Sequence, residues 1–212
     1  MQAKGYKMIS SVNDTYRVYS NNVSSKWVED GKVQVDDNIM KWVDDSKKLV
    51  DAKEAGTFDM WSDDWSKGFY PDGKVFCYFG PAWLVNFSMA ADTEGSIGYN
   101  GGWGAAQGPQ GFFWGGTWIC VSPKTDNADM AANFINYFTV DNTSMKKYAL
   151  GKPDYVNNMA VMEEIVSEGS NSNPLLGGQD QFAVLHETGK NINLNGLITP
   201  YAVSYTHLTL PT

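Results

Sequence analysis

The residues best suited to meet a ligand lie between Gly80 and Trp118. There Gly80-Pro81-Ala82-Trp83 and Gly108-Pro109-Gln110-Gly111-Phe112-Phe113-Trp114-Gly115-Gly116 set indole rings among turn-forming residues, with few charges between them. An indole offers a flat apolar face, and glycine, lacking a Cβ, lets backbone turn sharply and approach a ligand closely. A sugar ring has one C–H face and a rim of hydroxyls, so aromatic platforms with a few polar neighbours suit it. Trp83 and Trp114 are the candidate platforms, and Gly115 and Gly116 the places of close approach. A second group, Trp61 and Trp65 with Asp63 and Asp64 between them, and a third, Gln179-Asp180, supply further rings and hydroxyl-binding groups. Any one of these Trp reads equally well as core; the cluster carries the binding reading. Asp63 and Asp64 read equally well as a solvated helix face.

The same carboxylates bear on an alternative, a glycoside hydrolase or an accessory carbohydrate-binding domain. A glycosidase needs two carboxylates roughly 5–9.5 Å apart across one bond. Consecutive helical residues point about 100° apart, so Asp63 and Asp64 cannot clamp one bond together. Glu163, Glu164 or Asp180 could join a pair, but no spacing marks one. His186 is the one histidine open to a catalytic relay, no nucleophile elbow accompanies it, and it is expected on a helix surface. Gly102-x-Gly104 lacks the third glycine of a dinucleotide fingerprint. Asp30-Gly31 and Asp36-Asp37 lack the spacing of a calcium loop. No metal or nucleotide site is expected, and no cofactor. A third reading is an interaction domain whose Trp are all buried.

Composition narrows the ligand class. The 212 residues carry a formal charge of −8 and a single arginine, Arg17, which argues against nucleic acid and other anionic partners. Aromatic residues make up 14% of the chain, a surplus that suits a neutral, hydroxyl-rich ligand. Cys77 and Cys120 are too few for a disulfide scaffold and are expected as two buried thiols. No apolar run approaches the ~18–20 residues that span a membrane.

The elements that would position these groups follow from periodicity. Residues 1–35 read as short strands or irregular loop. Ile39, Met40, Trp42, Val43, Leu49 and Val50 mark an amphipathic helix from Asp37 to about Ala52, ended near Gly56. Trp61, Trp65 and Phe69 fall at four-residue steps, on one face of a helix from Phe58 to Phe69. Val75–Phe79 reads as a buried strand running into Gly80-Pro81, after which Leu84, Phe87, Ser88 and Ala91 share a helical face. Trp83 would sit at the lip of that strand–turn–helix joint. Trp103–Gln107 and Thr117–Val121 read as strands. A helix capped by Asp126 follows, with Met130, Phe134, Ile135, Tyr137 and Phe138 on its apolar side. Further helices are expected from Asp141 or Asn142 to Gly151, from Tyr155 to about Ser167, and from Gln179 to Lys190.

The order of these motifs is itself informative. Gly-Pro-x-Trp after a strand is followed by Trp103-Gly104-Ala105-Ala106-Gln107-Gly108-Pro109, then Trp114-Gly115-Gly116-Thr117-Trp118-Ile119-Cys120-Val121 and paired helices. This series resembles the carboxy-terminal half of extracellular sugar-binding proteins of ABC importers, the family 1 solute-binding proteins akin to maltose-binding protein. Lys124–Ile135 resembles the helix after the crossing between lobes, and Asn173–Gln179 the segment returning a loop to the cleft. The likeness covers roughly residues 36–202.

It implies an α/β fold of periplasmic-binding-protein type II, incomplete. Residues 1–115 would be a portion of the second lobe, 116–155 the segment crossing to the first, and 156–202 the return and hinge. Residues 203–212 resemble translated sequencing adaptor, a non-native tail. Such proteins usually carry a first lobe of βα units and a lipoprotein signal, so Met1 is expected to be an internal start. The resemblance further implies a receptor, not an enzyme, that closes two lobes around a sugar or oligosaccharide and delivers it to ABC permease subunits. Its place would be the periplasm or the outer face of the cell membrane, held there only by a lipid anchor absent from this sequence.

Overall fold

In the computed structural model, residues 2–89 and 93–192 are described. Ala91, the segment after Ile192 and the 203–212 tail lie outside them. The chain forms two compact units. Among the described residues, the first is built on residues 2–79, Gly108–Phe113 and 188–192; the second on residues 80–89 and 93–107 and on Trp114–Glu187.

The first unit begins with β1 (Lys7–Ile9), which pairs in parallel with β4 (Val75–Cys77), Lys7 opposite Val75 and Ile9 opposite Cys77. The expected strand at Val75–Phe79 is thus present in its first three residues. Between β1 and β4 the 1–35 region also folds a short helix, α1 (Tyr16–Ser20), where strands or loop were expected. β2 (Val28–Glu29) and β3 (Lys32–Val33) form a hairpin across Asp30 and Gly31. Both turn residues have positive φ, 49° and 73°, as a two-residue type I′ turn requires.

Helix α2 (Asp37–Asp51) matches the periodicity: Ile39 and Trp42 are buried, while Lys41–Asp45 and Lys47–Asp51 pair along the exposed side. Trp42 and Ile39 pack with Tyr16, Val23 and Trp27 into one core. The Asp36 carboxylate caps α2 by accepting the Asn38 N–H at 2.8 Å, and its other oxygen takes the N–H and hydroxyl groups of Ser24 and Ser25. Burial pushes this carboxyl up, but those hydrogen bonds outweigh it and hold it down at about 2. The helix ends at Asp51, before Gly56. Gly56 serves close packing instead: a Cβ there would stand 2.3 Å from the Ser10 carbonyl oxygen.

The expected helix from Phe58 to Phe69 shrinks to α3 (Asp63–Ser66) and a short 3-10 turn, because Trp61 adopts φ +72° and breaks the run. Ser62 caps α3 through the Trp65 N–H.

In the second unit, α4 (Ala128–Thr139), α5 (Asn142–Gly151), α6 (Met159–Glu168) and α7 (Gln181–Gly189) appear near their expected places. Met145, Ala149, Val156, Val161, Met162, Ile165 and Phe182 form the core between the last three. Asp141 and Asn158 cap α5 and α6 with their side chains, whereas α4 begins at Asn127 without a side-chain cap, not at Asp126. His186 is buried, its Nδ1 3.1 Å from the Tyr155 hydroxyl, and so is no surface residue.

Two expected strands are missing among the described residues. Trp103–Gln107 and Thr117–Val121 have strand-like residues but no ladder, since a strand needs a neighbour to satisfy its backbone. Trp118 is 83% exposed, and on α4 Met130, Phe134, Tyr137 and Phe138 are exposed as well. Nor are the thiols both buried: Cys77 is half-buried and donates to the Met8 carbonyl, and Cys120 is exposed.

Candidate functional site

The expected site residues fall in both units. In the first, Trp65 is only 1% exposed and cannot offer a face to a ligand. Its ring is held edge-on by Trp61, Phe69 and Tyr78 at centroid distances of 4.9, 5.0 and 5.1 Å. Trp65 is thus the support, and Trp61, 49% exposed, is the ring that stands outward on it. The left-handed backbone at Trp61 is an uncommon state for a bulky residue, held only where surrounding packing overrides its cost. Asp63 and Asp64 lie exposed on the first turn of α3, and Asp64 is paired with Lys67.

In the second unit the strand–turn–helix joint takes an unexpected form. Trp83 is half-buried and immediately precedes a five-residue π-helical turn, Leu84–Ser88, in place of the α-helix that periodicity suggested. Single π turns are rare and recur at functional sites. The widened turn buries Leu84 and turns Phe87 outward, 84% exposed, with its ring perpendicular to that of Trp83 at 6.1 Å. Phe87 is therefore a residue that sequence reasoning missed: a helical count assigns it to the packed face.

Behind this turn lies a network of amides. Asn86 and Gln181 both donate to the Pro153 carbonyl, at 3.1 and 2.6 Å. Buried Asn173 donates to the Gln181 and Asn86 side-chain oxygens. The π turn is thereby fastened to three other segments of its unit.

Trp114 is half-buried, and the two residues after it are exposed, Gly115 at φ +73° and Gly116 at φ +101°. A Cβ at Gly115 would meet nothing within 4 Å. Glycine is needed there for its backbone conformation, and the space beside it is open.

Gln179 and Asp180 are spent on structure. Both ends of the Gln179 carboxamide bind Ala105, and Asp180 Oδ1 caps α7 by accepting the Phe182 N–H at 2.9 Å. Of the other candidate carboxylates, Glu164 pairs with Lys146. No cluster of side chains that could hold a metal occurs among the described residues. No helix among them is long and apolar enough to cross a membrane.

Comparison with known proteins finds a family match. The family described as bacterial extracellular solute-binding protein matches residues 6–175. No curated protein and no solved structure matches the chain. The family match spans both units and most of the sequence, and the mixed helix-and-strand architecture agrees with a periplasmic-binding α/β fold. The chain belongs to the bacterial extracellular solute-binding proteins.

Proposed function

We propose that this receptor binds a neutral carbohydrate, an oligosaccharide in particular, and passes it unaltered to an ABC permease. The observation that carries the reading is Trp83 at its π turn, with the exposed Phe87 ring set against it. Paired rings at a fastened turn give a rigid apolar platform whose ordering cost is met before a ligand arrives. Trp114 with the open glycines after it, and Trp61 on its aromatic support, are further surfaces of the same kind. The charge of −8 suits a ligand without negative charge.

Capture follows if the ligand touches both lobes of the complete receptor and so favours the closed state over the open one. A receptor, not a hydrolase, is favoured because Asp64, Glu164 and Asp180 are each committed to an ion pair or a cap. The test is calorimetric titration of Trp83→Ala and the parent protein with the tightest-binding sugar of a neutral oligosaccharide panel. Loss of more than about 1 kcal/mol of binding free energy, with the helical signal unchanged, supports the platform. Unchanged affinity removes Trp83 from the site.

A further inference from the structure

Asp14 is a charged residue type in a place built for an uncharged one. Its side chain is completely buried. Oδ1 accepts the Trp65 indole N–H at 2.8 Å, while Oδ2 has no hydrogen-bond partner among the described residues. The ionisable groups facing it are the Cys77 thiol on β4 and the Tyr78 phenol next to it; burial raises both, the Asp14 charge adds to the rise, and a Ser10 hydrogen bond pulls Tyr78 partly back. Both therefore stay neutral across the range in which Asp14 titrates. No Lys or Arg among the described residues pairs with it. A carboxylate so placed lacks the donors and the counter-charge that would offset its desolvation.

We propose that Asp14 is a proton-dependent support beneath the Trp65 aromatic stack: the neutral carboxyl is accommodated there, whereas ionisation, although it strengthens the Trp65 hydrogen bond, buries an uncompensated charge and destabilises the packing around it. Burial pushes the Asp14 carboxyl up to about 7, against the downward pull of the Trp65 and Ser11 hydrogen bonds. The folded chain thus holds a proton that the unfolded chain has already released. A group raised in the folded state contributes stability that is fully present below its unfolded value, near 4, and is lost as pH rises through about 7. The exposed Trp61 ring leans on Trp65, so a surface aromatic inherits the sensitivity of a buried acid. This inference is independent of whether Trp61 meets a sugar.

Guanidinium unfolding of the full chain, followed by Trp emission across roughly pH 4 to 8, tests it against Asp14→Asn. The parent midpoint is expected to fall with rising pH, and the Asn variant to lose that part of the slope. Equal slopes would overturn the proposal. Should the variant not fold, carbon NMR of carboxyl-labelled aspartate in the parent chain decides. A buried Asp titrating at least about two pH units above the ordinary 3.9 sustains the proposal, and ordinary titration of all Asp overturns it.

Discussion

Gln179 grips Ala105 by both ends of its carboxamide, Oε1 accepting the Ala105 N–H at 2.7 Å and Nε2 donating to the Ala105 carbonyl at 2.7 Å. One side chain does for Ala105 what a neighbouring strand would do, and holds the Gly101–Gln107 loop without a sheet. Gln179→Ala leaves both backbone groups to water. At about 1 kcal/mol for each net hydrogen bond, the variant should lose about 2 kcal/mol of stability in denaturant unfolding. A loss under about 0.5 kcal/mol would mean that the clasp is not formed in solution.

Asp36 makes stability depend on acid. Its folded carboxyl is depressed to about 2 from 3.8, so its contribution is present above the unfolded value and is lost as pH falls from about 4 toward 2. A depression of that size corresponds to about 2 kcal/mol near neutrality, which is the expected cost of Asp36→Ala. The gap between the parent and variant unfolding curves should narrow below about pH 4 and close only near pH 2. A constant gap at all pH values would assign the cost to packing alone.

Gly56 sits where Ser10 leaves no space. Gly56→Ala puts a methyl 2.3 Å from the Ser10 carbonyl oxygen and must displace one of two backbone segments. A destabilisation of about 1–3 kcal/mol is expected, as for other overpacked sites, read from the thermal midpoint. A neutral variant would show that the two segments separate at little cost.

Trp61 separates strain from use. Trp61→Asn replaces a bulky left-handed residue with one that tolerates that backbone, offsetting the lost edge contact with Trp65. Stability should change by less than about 1 kcal/mol. Sugar affinity should nevertheless fall if the ring is a binding face. Unchanged affinity would leave Trp61 as surface packing only.

Helices are the most legible part of the sequence, because each carries its own hydrogen bonds and shows a periodic apolar face. α2 and its two buried anchors, Ile39 and Trp42, follow directly from spacing. Strands are not legible in the same way, since Val75–Cys77 has a partner in β1 while Thr117–Val121 has none among the described residues. Spacing also misjudges the aromatics. Trp61 and Trp65 do touch, but through a left-handed break instead of a helical face, which divides them into one exposed ring and one buried ring. The role of Asp14 leaves no trace in the sequence, because an isolated acid in a polar stretch looks solvated until tertiary packing closes over it. Gln179 stands out among polar residues, but its partner, Ala105, lies 74 residues away.

Whether the chain holds a neutral sugar and leaves it unaltered is decided by titrating the folded protein with neutral oligosaccharides while recording Trp emission, then analysing the sugar recovered. A saturable emission change with at least one sugar, loss of that response in Trp83→Ala, and recovery of the sugar intact are the expected results. No response to any sugar, or cleavage products in the recovered ligand, would contradict the proposed function.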